Sequence, residues 1–224
     1  MILLTSNSVF RPTDYVMEDL IKPNSKIVAF SGSDLKWQRY NVDELLYDGY
    51  YFEEQYKPFR QFGIQKEDFY IVTPEDNIEF VEFKVEKADI IVLLGGYMES
   101  LEALLKFYRI WDKFDELQHR KNIIGISAGA LVLCDEYYTT PHVDDYYEEY
   151  DLVKGIGLVE DMRILVHYDM NNKHHQDNLY YIMSDIIDSN RYEYTEYFAV
   201  TLSDTQSVLV DDNGLELFYD FSLI

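Results

Sequence analysis

The chain has 224 residues, 47% of them hydrophobic, enough for one domain spanning 1–224 with a full core. Its 42 acids against 19 bases give a net charge of -23. That charge repels phosphate backbones and anionic lipid, so neither nucleic acid nor a membrane surface is expected as a partner.

From the N-terminus, "MILLTSNSVFRP" has no basic stretch ahead of a short apolar run, so it reads as a first strand (2–6) and not as a signal peptide. "KIVAFS" (26–31) is a second strand, 41–62 a helix, and "DFYIV" (68–72) a third strand. "DIIVLL" (89–94) is another, far too short to span a bilayer. Between 98 and 118, Leu101, Leu104, Leu105, Tyr108, Trp111 and Phe114 recur at three and four, which predicts one helix with a buried stripe. "NIIGI" (122–126), "RILVHY" (163–168) and "FAVTL" (198–202) are strands, and 174–188 is a helix. "SVLVDD" (207–212) and 215–219 form a hairpin through "DNG". Runs apolar on both faces suit a covered parallel sheet. Their alternation with helices predicts an α/β fold, a three-layer α/β/α sandwich with a mostly parallel central sheet.

Chemistry enters at "NIIGISAGALVLC" (122–134). Gly125-Ile126-Ser127-Ala128-Gly129 follows a strand and opens a helix, the pattern of a nucleophile elbow. The tight turn exposes a serine hydroxyl and leaves no room for bulky neighbours. The following N–H groups, Ala128 first, face developing negative charge. The competing reading is a serine-capped helix with glycines for packing. Cys134, the single cysteine, reads as a buried core thiol. It excludes an internal disulfide or a cysteine-held zinc and suits a reducing, cytoplasmic setting.

A serine nucleophile needs a base. His119 lies at a helix end, His142 in an acidic loop, and His174 and His175 at an exposed helix start. Only His167 ends an apolar strand, the edge where open α/β sheets carry their sites. Asp204, in a turn past the next strand, is the candidate that orients it. The order Ser127, His167, Asp204 is not that of the α/β-hydrolases. "DEYYTTPHVDDYYEEYD" (135–151) carries seven acids between the serine and the histidine. It reads as a solvated loop, as a tyrosine-rich homodimer contact, or as a lip where Asp144 or Asp145 holds a substrate's α-amino group.

These residues resemble the dipeptidase E and cyanophycinase family of serine peptidases. "LLTSNS" (3–8) is similar to its first strand and loop, "ADIIVLLGG" (88–96) to its strand ending in a glycine pair, and "IIGISAGA" (123–130) to its nucleophile turn. "RILVHY" and "VTLSDTQSVLV" are similar to the strands that bring its histidine and acid. The resemblance implies a type 1 glutamine amidotransferase-like fold and a Ser127–His167–Asp204 triad. It makes Gly96 and Ala128 the oxyanion donors and calls for no metal or cofactor. "GGYMES" departs from the family's small polar turn by placing Tyr97 and Met98 beside the oxyanion hole. "DMNNKHHQDN" lacks the family's arginine after the histidine and offers only Lys173 as a cation, so aspartyl specificity does not carry over. The expected activity is a cytoplasmic peptidase or dipeptidase on short peptides or other small acyl substrates. The alternatives are an esterase or amidase and a binding protein that kept the fold.

Overall fold

The computed structural model describes residues 1–7, 15–33, 42–47, 49–139, 151–192, 196–211 and 214–219. Five strands run parallel: β1 (Ile2–Thr5), β2 (Ile27–Gly32), β3 (Phe69–Ile71), β4 (Ile90–Gly96) and β5 (Asn122–Ile126). In space they lie in the order β1-β5-β4-β2-β3. Beyond β1, the strands Gln206–Asp211 and Gly214–Tyr219 add an antiparallel pair, completing a seven-stranded sheet. The hairpin reading of this pair holds.

Alternation along each strand sends side chains to opposite faces. Leu4, Phe30, Leu93 and Ile123 join one core cluster, and Leu3, Ala29, Val92 and Ile124 the other. Helices α1 (Tyr15–Leu20), α2 (Val42–Leu45) and α3 (Tyr50–Arg60) cover the second face. Helices α4 (Ile78–Lys87), α5 (Met98–Phe107), α6 (Phe114–Leu117) and α7 (Ala128–Leu133) cover the first. The result is the expected three-layer sandwich with a mostly parallel sheet.

Two long helices expected from periodicity are interrupted. The 98–118 stripe breaks after α5 because Arg109 takes φ 57. Ile110 N–H then bonds Leu105 C=O at 2.8 Å, and Arg109 N–H bonds Lys106 C=O at 3.0 Å. That is a Schellman stop with arginine where glycine usually sits. The buried Tyr108 hydroxyl, donating to Thr73 C=O at 2.6 Å, anchors it. The 41–62 stretch splits into α2 and α3, with extended Gly49 as the N-cap of α3.

β6 (Glu136–Tyr138), in the stretch read as loop, forms a small antiparallel pair with β7 (Leu152–Lys154). Tyr137 and Tyr138 are buried, so this start of the acidic stretch is not a solvated loop. β8 (Met162–Leu165), the histidine strand, lies outside the main sheet. It pairs in parallel with β9 (Phe198–Thr201), and α8 (Lys173–Tyr192) packs Ile182 and Ile186 against Leu165 and Tyr138. Among the described residues, no helix is long and apolar enough to cross a membrane.

Candidate active site

β5 is apolar on both faces and ends at Ile126. The next residue, Ser127, takes φ 53 and ψ -115, a conformation that side chains other than hydrogen avoid. Ser127 N–H donates to Thr5 C=O at 2.8 Å, and its own C=O accepts Ala130 N–H at 2.9 Å as α7 begins. The glycine that follows has a hard steric reason. A Cβ on Gly129 would stand 2.0 Å from Leu93 O, so α7 can cross β4 only with hydrogen there. A Cβ on Gly95 would come within 3.3 Å of Ser127 Cβ and 3.7 Å of its Oγ, so this glycine keeps the hydroxyl's surroundings open. Ala128 is the first residue of α7, so its N–H has no acceptor within the helix.

The β8–β9 pair brings the other two groups. In a parallel pair both chains leave at the same end, and here Leu165 lies beside Thr201. The ladder runs on through Leu202 N–H to Leu165 C=O and Tyr168 N–H to Leu202 C=O, both 2.9 Å, and skips His167, which takes φ 57. Asp204 stands in a turn closed by Gln206 N–H to Ser203 C=O at 3.0 Å and Ser203 N–H to Gln206 Oε1 at 2.8 Å. The imidazole thus meets Ser127 Oγ through Nε2 at 2.8 Å and Asp204 Oδ1 through Nδ1 at 2.6 Å. With the proton on Nδ1, the ring donates to the carboxylate and accepts from the serine hydroxyl. The imidazole is 36% exposed and the carboxylate 58%, so the line opens to solvent on the Asp204 side.

Ser6, which the sequence reading gave no role, lies at the junction. It is fully buried, accepts His167 N–H at 2.6 Å and donates to Asp204 Oδ1 at 3.3 Å. No pattern marks such a serine, because one polar residue after a strand is ordinary.

Residues 44–218 match the model for peptidase family S51. The chain belongs to that family. It is a serine-type peptidase, and its substrates are peptides. Among solved structures, it is similar to a protein from Listeria monocytogenes EGD-e assigned as a peptidase E, with TM-score 0.64, 18% identity and 97% of each chain covered. It is also similar to a peptidase from an acI-B1 actinobacterium, with TM-score 0.62, 17% identity, and 98% of this chain and 87% of the other covered. No curated protein matches it in sequence. The resemblance read from the residues therefore names the right family.

In this S51 peptidase the remaining candidates lie on several elements. Gly96 has φ 123 and abuts Gly32, where a Cβ would stand 2.3 Å from a carbonyl carbon. Tyr97 is half-buried at the N-cap of α5, and its N–H is engaged by Gly32 C=O at 2.8 Å. Met98, the next residue, is buried in the core cluster that also holds Ala128. Lys173, at the start of α8, is 84% exposed and pairs with Asp177 at 3.0 Å. Arg163, the other cation near the histidine strand, is 3% exposed and held by Asp185 and by Glu136 at 2.8 Å. His175, read as exposed, is buried, and its Nδ1 accepts Asp169 N–H at 2.9 Å. Cys134 is buried as expected, and burial pushes its thiol pKa well up, so it stays protonated. Asp144, Asp145 and His142 lie outside the described residues.

Proposed function

We propose that this S51 peptidase cleaves short peptides, dipeptides among them, through a Ser127–His167–Asp204 triad and an acyl-enzyme. The observation that carries the reading is the unbroken line from Ser127 Oγ to His167 Nε2 at 2.8 Å and from His167 Nδ1 to Asp204 Oδ1 at 2.6 Å. Ser127 Oγ attacks the scissile carbonyl while Nε2 takes its proton. The resulting imidazolium is stabilised by Asp204, which keeps its negative charge. The tetrahedral oxyanion is met by the N–H groups of Ala128 and Gly96. As the C–N bond breaks, Nε2 returns the proton to the leaving amine. Water, deprotonated by the same nitrogen, then releases the acyl group and regenerates Ser127.

Tyr97 borders the acyl pocket in this reading. A carboxylate of Asp144 or Asp145 holds the substrate's free amine. Lys173, already paired with Asp177, leaves the pocket without its charge. The single cysteine suits a reducing compartment, so the reading includes a cytoplasmic location.

The test is a fluorophosphonate probe together with a screen of dipeptides and short peptides. Labelling that disappears in Ser127→Ala, and hydrolysis lost in parallel, is the expected result. Turnover of a good peptide by Ser127→Ala would refute it.

A further inference from the structure

The last residue of β1 and the residue after it hold the backbones of both strained groups. Thr5 C=O accepts Ser127 N–H at 2.8 Å, and Ser6 Oγ accepts His167 N–H at 2.6 Å. His167 N–H has no place in the β8–β9 ladder, which passes from Leu165 to Tyr168 around it. A buried N–H needs an acceptor. Ser6 supplies it from a fully buried position where water does not compete. The same hydroxyl then spends its own proton on Asp204 Oδ1 at 3.3 Å, the oxygen that also receives His167 Nδ1–H. One hydroxyl therefore touches the backbone of the base and the carboxylate that orients the base.

We infer that Ser6 is a positioning residue for the reaction. It fixes His167 in its left-handed conformation and keeps Asp204 in line with the imidazole. The inference rests on the triad proposed above. Without the hydroxyl, the His167 backbone is free to leave φ 57, and a short rotation there swings Nε2 away from Ser127 Oγ. Asp204, which is exposed on its outer side, loses its inner tether as well. A misplacement of about 1 Å at a reacting group costs about 10²-fold in rate.

The experiment compares Ser6→Ala with the unaltered enzyme on one good peptide substrate, alongside Ser127→Ala and His167→Ala. The expected result for Ser6→Ala is a kcat lower by about 10²-fold, with KM changed by no more than about threefold. The rate of fluorophosphonate labelling at Ser127 should fall by a similar factor, because labelling draws on the same base. The downfield proton signal of the His167 Nδ1–H···Asp204 bond should weaken or vanish. A merely structural role would lower the melting temperature and leave kcat, labelling rate and proton signal in place, and that outcome overturns the inference. If Ser6→Ala does not fold, Ser6→Cys carries the same readouts, since it fills the space but hydrogen-bonds weakly. If Ser127→Ala or His167→Ala keeps turnover, the triad itself is wrong. If both lose turnover while Ser6→Ala keeps it, only the role of Ser6 fails.

Discussion

Ser127 and His167 both sit at positive φ, 53 and 57, and neither is glycine. Such a conformation costs about 1–3 kcal/mol per residue and survives only where the surroundings over-determine it. Here Thr5 and Ser6 do so through backbone hydrogen bonds. Activity and stability should therefore separate at position 127. Ser127→Ala and Ser127→Gly should each lower kcat by at least about 10³-fold, as should His167→Ala. Yet Ser127→Gly should be more stable than Ser127→Ala by about 1 kcal/mol and melt higher, because only alanine keeps the strained Cβ. Equal melting temperatures would mean that the turn carries no such strain. Gly129→Ala tests the crossing of α7 over β4. Helix propensity favours alanine, but a Cβ at 2.0 Å from Leu93 O forces the helix off the strand. The clash should win, costing about 3 kcal/mol or more in chemical denaturation.

Among the elements, the β8–β9 pair does the most for the site while standing outside the main sheet. It is tied down by the Arg163 guanidinium on β8, which joins Glu136 on β6 and Asp185 on α8 and lies 4.7 Å over the Tyr197 ring. The Tyr138 hydroxyl donates to the same Asp185 at 2.7 Å. Removing a buried cation leaves its carboxylate partners uncompensated, so Arg163→Met should cost about 3–5 kcal/mol in urea unfolding. A loss below about 1 kcal/mol would mean that the two carboxylates find water instead. Sequence revealed much of this layer unevenly. The main strands were legible because each is apolar on both faces and too short for a helix. Ser127 was legible because the elbow demands small residues at fixed positions. The break at Arg109 was not, since a Schellman stop without glycine leaves no compositional mark. The separation of β8 from the main sheet was equally hidden, because a run such as "RILVHY" fits any covered strand. Ser6 could not be found at all from pattern, since its role arises from contacts 161 and 198 residues away.

At the scale of the whole molecule, the net charge of -23 sets a field that the substrate must enter. The two cations that the sequence offered near the histidine strand do not relieve it. Arg163 is consumed by two carboxylates inside the fold, and Lys173 is paired with Asp177 on the surface. A substrate carboxylate side chain therefore approaches a negative surface, while a basic side chain is drawn in. The prediction is a charge order in kcat/KM at low salt: Arg-Leu above Leu-Leu, and Leu-Leu above Asp-Leu. Because the effect acts at long range, it should shrink as the Debye length falls from about 30 Å at 0.01 M salt to about 8 Å at 0.15 M. The Arg-Leu value should then decline with salt, Asp-Leu should rise, and Leu-Leu should stay nearly level. That crossing pattern separates a surface field from a specific pocket contact, which salt weakens far less. A preference for Asp-Leu that persists at high salt would sink the idea. It would place a cation directly in the pocket.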